Sequence, residues 1–210
     1  MTQGVIWKQL LEFSVPMMIG LIFQQFYNTV DTIVVGQFVG KEALAAVGST
    51  GSICNMLVGL CAGLATGAGV VISQNYGAHD YKKLHDSVHT SIVLTFLMSI
   101  VATIIGILIV DPMLRFMSTP EDVMPQAHTY LTIYFAGVTG LLIYNMGSGI
   151  LRAVGDSRRP LYFLIFSACC NIVLDLLFVV TFHWGVAGVA YATIISQCLS
   201  AALTLFSLSH

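Results

Sequence analysis

The sequence predicts an all-α integral membrane protein with six transmembrane helices. Two features of its composition favour this class: 57 % of the 210 residues are hydrophobic and only 9 % are charged, whereas soluble domains carry about 25 % charged residues. A third observation is that apolar runs long enough to cross a bilayer, about 20 residues, recur along the whole chain. Such a chain could not hide its apolar surface from water in a soluble fold, so we expect the lipid bilayer to surround it.

A short amphipathic segment precedes the first span. Residues 1–13 include VIWKQLLEF, a pattern typical of an interfacial helix with Trp7 at the level of the headgroups. The apolar region 14–208 then divides into six approximate spans: 14–36, 47–74, 88–110, 126–150, 160–182 and 186–208. Polar segments with Gly and Pro separate them. The last of these, TFHWG, is so short that the fifth and sixth spans should pack as an antiparallel pair.

The distribution of Lys and Arg predicts the orientation. Alternating crossings place six basic residues on one side (Lys8, Lys82, Lys83, Arg152, Arg158 and Arg159) and two on the other (Lys41 and Arg115). Because cytoplasmic loops are enriched in basic residues, we expect both ends of the chain in the cytoplasm. A second six-helix copy appended to the C-terminus would then have the same orientation, as in parallel-repeat transporters.

Two acidic residues, Asp31 and Asp175, fall inside predicted spans, and no Lys or Arg does. At 1.5 Å per helical residue, both carboxylates lie roughly 8–11 Å inside the outer boundary of the bilayer, a depth that Thr193 shares. Ionisable residues at such depth are costly and usually face a partner or a hydrated cavity. The pattern therefore predicts a shared polar site within the membrane.

Helical spacing adds polar neighbours to each acid. Two stripes follow one helix face each: Gln24, Asn28 and Asp31 on the first span, and Ser167, Asn171 and Asp175 on the fifth. We expect a hydrated chamber between these spans. Gln24, Tyr27, Asn28 and Ser167 are its weaker lining candidates, with helix–helix hydrogen bonding as the alternative for Gln24 and Ser167.

Two kinds of positive charge could neutralise the acids. Burial favours the protonated form of a carboxyl group, so either acid could bind and release a proton. Alternatively, the oxygens of Asp31, Asn171, Asp175 and Thr193 could enclose a hard cation such as Na⁺. A permanently protonated acid that only supports helix packing is the remaining interpretation. No cofactor is expected, nor any metal beyond Na⁺, and nothing in the charge pattern indicates nucleic acid.

One glycine pattern stands out in the second span. Gly59, Gly63 and Gly67 repeat as G-x-x-x-G-x-x-x-G, which predicts the close approach of another helix.

Several motifs together resemble the multidrug and toxic compound extrusion (MATE) family. They are FSVPMMIGLIFQQFYNTVDTIVVGQFVGKEALAAVG, SQNYGAHDYKKL, GILRAVGDSRRP and NIVLDLLFVV running into GVAGVAYATIISQ. The resemblance implies one lobe, the N-terminal one, of a twelve-helix transporter in the bacterial cytoplasmic (plasma) membrane. It implies export of small cationic or amphipathic compounds against H⁺ or Na⁺, with Asp31, Asn171, Asp175 and Thr193 in the cation site and a second six-helix lobe as partner.

Three alternatives remain at this stage. A lipid-linked sugar flippase of the same superfamily would carry basic groups in its cavity, and this chain has none within a span. An intramembrane aspartyl protease would show YD and GxGD patterns, which the flanks NTVD and NIVLD do not match, so we expect no enzyme. An inert membrane scaffold fragment is the third alternative.

Overall fold

The computed structural model of the chain describes residues 6–209, so the first five residues of the expected lead-in lie outside the described residues. Seven α-helices follow one another within this range: α1 (Ile6–Val34), α2 (Lys41–Gly77), α3 (Tyr81–Phe116), α4 (Met124–Ala136), α5 (Val138–Ala153), α6 (Arg158–Asp175) and α7 (Gly185–Ser209). Two π-helical segments, Val35–Val39 and Leu176–Thr181, continue α1 and α6. The described part of the lead-in belongs to α1 without a break.

These helices confirm the all-α membrane architecture. Five of them are long and apolar enough to cross a bilayer, counting the π-helical segments with α1 and α6. Helices α4 and α5 make a sixth span if they are taken together, although they meet at an angle of 51°. The span predicted at 126–150 is therefore interrupted at Gly137, which the apolar pattern alone did not indicate.

Close packing on both sides explains the bend between α4 and α5. A Cβ atom on Gly137 would lie 2.4 Å from the side chain of Ile194 in α7, and one on Gly106 would lie 2.2 Å from the Phe135 ring. The Thr103 hydroxyl donates to the Phe135 carbonyl at 3.1 Å. Backbone groups near a helix break in a membrane need such partners because lipid offers none.

The helix order creates an opening between α1 and α2. Helix α1 packs on α6, α6 on α7, α7 on α5, and α5 on α2, while α3 packs against α4 and α5. The predicted pairing of the fifth and sixth spans is thus present as α6 and α7. Gly40 connects the end of the α1 span to α2 with φ = 120°, a conformation that favours glycine. Since α1 and α2 pack mainly on different partners, they can diverge from this turn.

Ionic contacts link helix ends at the face where α1 begins. Arg158 pairs with Glu12, and the Arg159 guanidinium donates to Ser207 at 3.1 Å, so that α1, α6 and α7 are tied together. At the α2–α3 turn, Asp80 caps α3 by accepting from the Lys83 N–H at 3.1 Å. The hydrogen bonds from Lys83 lower the pKa of Asp80. Which membrane side this face occupies stays a prediction.

The glycine pattern of α2 does not seat a helix of the described chain. Cβ atoms placed on Gly59, Gly63 and Gly67 would meet no atom within 4 Å. The expectation of a close helix–helix approach at this stripe is therefore wrong within residues 6–209. The reason is that α2 turns the opposite part of its surface toward α5, and the stripe borders open space.

The bend at Gly137 yields a stability prediction. Gly137→Ala should lower the free energy of unfolding by about 1–3 kcal/mol, because the added methyl group overpacks the contact with Ile194. Thermal unfolding in detergent would measure the loss, and the double variant with Ile194→Ala should recover part of it. Gly59→Ala is the matched control, since its methyl group enters open space. Equal unfolding midpoints for Gly137→Ala and Gly59→Ala would contradict this packing account.

Candidate cation site and cavity

A cavity of about 280 Å³ opens between α1, α2, α4, α5 and α7. Its α1 wall carries Gln24, Tyr27, Asn28 and Asp31. The polar stripe predicted on the first span therefore faces this cavity. Helix α2 forms another wall with small and apolar side chains, including Gly48 and Gly51, so this wall offers few polar groups.

Asp31 and Asp175 are brought together by the packing of α1 on α6, close enough for the charge of one carboxyl group to affect the other. Asp31 is partly buried and lines the cavity, whereas Asp175 is 0 % exposed and lies behind that surface. Asp31 Oδ1 and both carboxyl oxygens of Asp175 are buried without a hydrogen-bond partner. Two acids from α1 and α6, which lie far apart in sequence, thus share one position in the fold.

Asn171 and Thr193 supply the neutral oxygens of the predicted set. Asn171 lies one turn before Asp175 on α6, is 2 % exposed, and has both side-chain polar atoms without a partner. Thr193 lines the cavity from α7. Its hydroxyl donates to the Val189 carbonyl at 3.0 Å, which leaves the lone pairs of the hydroxyl oxygen available as acceptors.

The electrostatics of the site are those of two acids with no built-in counter-charge. Among the described residues that line the cavity there is no Lys, Arg or His, and the ion pairs found within residues 6–209 involve neither Asp31 nor Asp175. Ionised carboxylates only accept hydrogen bonds, and like charges at close range disfavour double ionisation. A proton or a bound cation is the smallest addition that resolves this conflict.

Both acid-bearing helices change to π-helical geometry beside their acid. The segment Val35–Val39 begins four residues after Asp31, and Leu176–Thr181 begins directly after Asp175. The two segments pack against each other. Inserted π-helical turns shift the direction of nearby side chains and are frequent at functional sites. Here the two π-helical segments follow the acids along α1 and α6, and they also contact α7.

Sequence reasoning missed several lining residues. Gln197 faces the cavity one turn after Thr193, and this i, i+4 spacing could have revealed it. Tyr130 and Tyr134 line the cavity from α4 with their rings stacked at a centroid distance of 6.2 Å. No polar stripe marked them, because tyrosines in a membrane span are equally typical of packing and of the bilayer interface.

Ser167 does not belong to the cavity wall. It is buried between α6 and α7, where its hydroxyl donates to the Ser196 carbonyl at 2.8 Å. Ser200 lies next to it, 3.5 Å away between the two hydroxyl oxygens. Its expected role as a cavity-lining residue is thus replaced by the alternative of helix–helix hydrogen bonding, because the face of α6 that carries it turns toward α7.

Comparison with known proteins identifies the family. Residues 16–177 match the MatE family. The chain belongs to this family. Among curated proteins, the probable multidrug resistance protein YpnP of Bacillus subtilis is 37 % identical over 205 residues, which cover 98 % of this chain and 46 % of YpnP.

Solved MatE-type structures agree with the fold. The outward-facing conformation of a multidrug resistance MATE family transporter of the MOP superfamily superimposes with a TM-score of 0.92 and 32 % identity, covering 98 % of this chain and 45 % of that one. A MOP superfamily transporter from Pyrococcus furiosus, for which a reversed polarity of the binding pocket suggests a different function, gives the same values. The chain thus spans about half the length of the relatives it matches, as one six-helix lobe would.

The position of Ser167 yields a prediction about stability. Ser167→Ala should lower the free energy of unfolding by about 1 kcal/mol, because interhelical hydrogen bonds of membrane proteins contribute about 0.6 on average and up to 1.7 kcal/mol. Thermal unfolding in detergent would measure the change. Thr29→Ala is a suitable control, since the Thr29 hydroxyl bonds only within its own helix, to the Gln25 carbonyl. A Ser167→Ala protein as stable as Thr29→Ala would argue against the α6–α7 link.

Proposed function

We propose that this chain is one six-helix lobe of a secondary active multidrug exporter that exchanges cationic amphipathic compounds for H⁺ or Na⁺. The observation that carries the proposal is the pair of Asp31 and Asp175, whose buried oxygens lack partners beside a membrane cavity. Membership of the MatE family and the similarity to YpnP, a probable multidrug resistance protein, support multidrug transport. The coupling ion and the site itself are part of the proposal.

The acid pair would couple ion movement to substrate movement through charge. With a proton or Na⁺ bound, the site is neutralised and the cavity loses its attraction for a positively charged compound. Without the ion, the same carboxylates favour an organic cation nearby. The ion lowers the affinity for the organic cation by the same factor as the organic cation lowers the affinity for the ion. Exchange of the two on opposite sides of the membrane would therefore drive export.

The lining of the cavity favours cationic substrates over anionic ones. The described lining residues combine one acid, amides and aromatic rings, among them Gln24, Tyr27 and Tyr130, without a basic side chain. Aromatic faces attract organic cations, whereas a pyrophosphate-linked sugar would need positive charge. This argues for drug export rather than the flippase alternative.

A second six-helix lobe would complete the pathway. The relatives are about twice as long as this chain, and six crossings return the chain to its starting side, so a second lobe would repeat the first in parallel. We propose the bacterial cytoplasmic membrane as its location, with both ends of the chain in the cytoplasm, as the 6 to 2 division of basic residues favours.

Transport by acid-site variants tests the proposal. In vesicles with separately imposed proton and sodium gradients, Asp175→Asn should reduce gradient-driven efflux of a cationic dye about tenfold or more, because a neutral amide cannot bind and release a proton and has no negative charge to attract Na⁺. The measurement uses this chain joined to a second six-helix lobe and, in parallel, the chain alone. Asp31→Asn should behave in the same way.

The matched control is Asp111→Asn, which makes the same chemical change on an exposed side chain at the end of the α3 span. It should export at the unmodified rate. Undiminished gradient-driven efflux in both Asp31→Asn and Asp175→Asn would refute the coupling role of the pair, provided that both variants unfold at the normal temperature.

A second prediction distinguishes Na⁺ from H⁺. Thr193→Ala removes a neutral oxygen that a hard cation would need but that a proton on a carboxyl group would not. If Na⁺ is the coupling ion, Thr193→Ala should raise the sodium concentration for half-maximal efflux about tenfold, as expected for the loss of about 1.4 kcal/mol of binding free energy. Proton-driven efflux should remain.

The control for this experiment lies on the same helix. Thr204 is fully buried, and its hydroxyl donates to the carbonyl of Ser200, four residues earlier, at 2.7 Å. The Thr193 hydroxyl makes the same kind of bond, to the carbonyl of Val189. Thr204→Ala should leave the sodium dependence unchanged. An equal shift in both variants would assign the effect to helix packing.

A further inference from the structure

A second large opening lies between α2 and α3, on residues that the acidic cavity does not use. Its volume is about 810 Å³. Helices α2 and α3 form its sides, and Leu142 and Met146 of α5 form its floor. We call it the α2–α3 groove. Gly63 and Gly67 line it, and the absence of their side chains leaves the space open.

The α2–α3 groove is polar at one end and apolar at the other. Near the α2–α3 turn it is bordered by Lys83, Asp86 and Thr90, while Leu94 and Met98 border its deeper part. Asn75 donates to the Ser87 hydroxyl at 2.9 Å and so ties α2 to α3 at the polar end. A ligand that fills it must therefore be amphipathic, with its polar part beside the turn.

The length of the groove matches one leaflet of a bilayer. Lys83 and Met98 are 15 residues apart in α3, which corresponds to about 22 Å along a helix. One headgroup layer together with half of the hydrocarbon core measures about 20–22 Å. The change from polar to apolar lining thus follows the same profile as a phospholipid of the leaflet next to the turn.

The groove opens along the outer surface of α3, where large apolar side chains are exposed. Leu94, Leu97 and Val101 of α3 are each more than half exposed on this surface. Beyond Met98, a smaller opening of about 390 Å³ continues between α2 and α3 with an almost wholly apolar lining, including Leu60 and Val101. An acyl chain can therefore enter laterally from the bilayer and lie along α2 without crossing a polar barrier.

The charges at the polar end define the headgroup. Lys83 and Asp86 lie three residues apart and thus on one face of α3, with side chains 72 % and 70 % exposed. The Lys83 ammonium is 2.9 Å from Asp80, and it has three N–H donors, so it can also bind a phosphate oxygen. Asp86 is an acceptor-only carboxylate that matches a primary ammonium. The His85 Nδ1 atom lies 3.8 Å from the Asp86 carboxylate. A phosphoethanolamine headgroup supplies both charges, whereas a phosphoglycerol headgroup supplies no ammonium for Asp86.

We propose that the α2–α3 groove binds one phosphatidylethanolamine molecule, with phosphate at Lys83, ammonium at Asp86 and an acyl chain along Gly63, Gly67 and Met98. The bound lipid fills the space that separates α2 from α3 and contacts α5 at the floor. This lipid site is separate from the acid pair, because the groove and the acidic cavity share no lining residue.

Native mass spectrometry of the purified chain tests this proposal. The chain is delipidated in detergent and then mixed with equal amounts of dioleoyl phosphatidylethanolamine and dioleoyl phosphatidylglycerol. We expect a first lipid-bound peak in which phosphatidylethanolamine exceeds phosphatidylglycerol at least about threefold, a ratio that corresponds to a difference of about 0.65 kcal/mol. A first peak with phosphatidylglycerol in excess, or with no preference, would overturn the headgroup assignment.

Variants localise the lipid. Gly67→Leu and Gly63→Leu should each reduce the first bound phosphatidylethanolamine at least about fivefold, because the added side chain occupies the groove. Gly59→Leu makes the same change on the same helix, in open space outside the groove lining, and should bind normally. Asp86→Asn should abolish the preference over phosphatidylglycerol. Equal lipid binding by Gly67→Leu, Gly63→Leu and Gly59→Leu would refute the site.

A photoreactive lipid identifies the occupant directly. Phosphatidylethanolamine with a diazirine on one acyl chain should label Leu94 or Met98 in the chain joined to its second six-helix lobe. Labelling confined to other surfaces, or a helix of the second lobe seated in the groove, would contradict lipid as the occupant.

Discussion

Two neighbouring carboxyl groups in a low-dielectric interior are the constraint on which this structure depends. Asp31 and Asp175 come from different helices and have buried oxygens without partners. A bare carboxylate within a membrane is costly, and a second one beside it makes double ionisation worse. A cavity opens beside the pair and is lined by Asp31.

The bundle is arranged so that this cavity exists. Helix α1 packs on α6 and brings Asp31 to Asp175, while α2 packs on α5 and diverges from α1 after the turn at Gly40. The bend at Gly137 turns α4 by 51° relative to α5, and α4 places Tyr130 and Tyr134 on the cavity wall. The opening, the acid pair and the aromatic wall thus follow from one set of helix contacts.

Polar side chains in the spans divide into two groups by their hydrogen bonds. The hydroxyls of Ser167, Ser196 and Thr204 donate to backbone carbonyls and are thereby satisfied in the membrane. The side chains of Asn171 and Asp175 are equally buried but have no such partner. Buried polar groups are usually hydrogen-bonded, so the unpartnered groups of Asn171 and Asp175 are unusual, although Thr132 and Ser148 each have one as well. The α2–α3 groove represents a third environment, polar at the end near the α2–α3 turn and apolar at the other.

The sequence by itself determined the membrane class, the number of crossings and the two polar stripes, because hydrophobic length and helical spacing are local properties. The stripe of α1 predicted three cavity residues in advance, Gln24, Asn28 and Asp31. Only the tertiary structure decided which faces meet. It turned Ser167 toward α7 and left the glycine stripe of α2 open. It also broke the fourth span at Gly137, where Ile194 packs on the backbone, next to Phe135, whose ring packs on Gly106 of α3. These outcomes depend on contacts between helices distant in sequence, and no periodicity within one helix records what its neighbour presents.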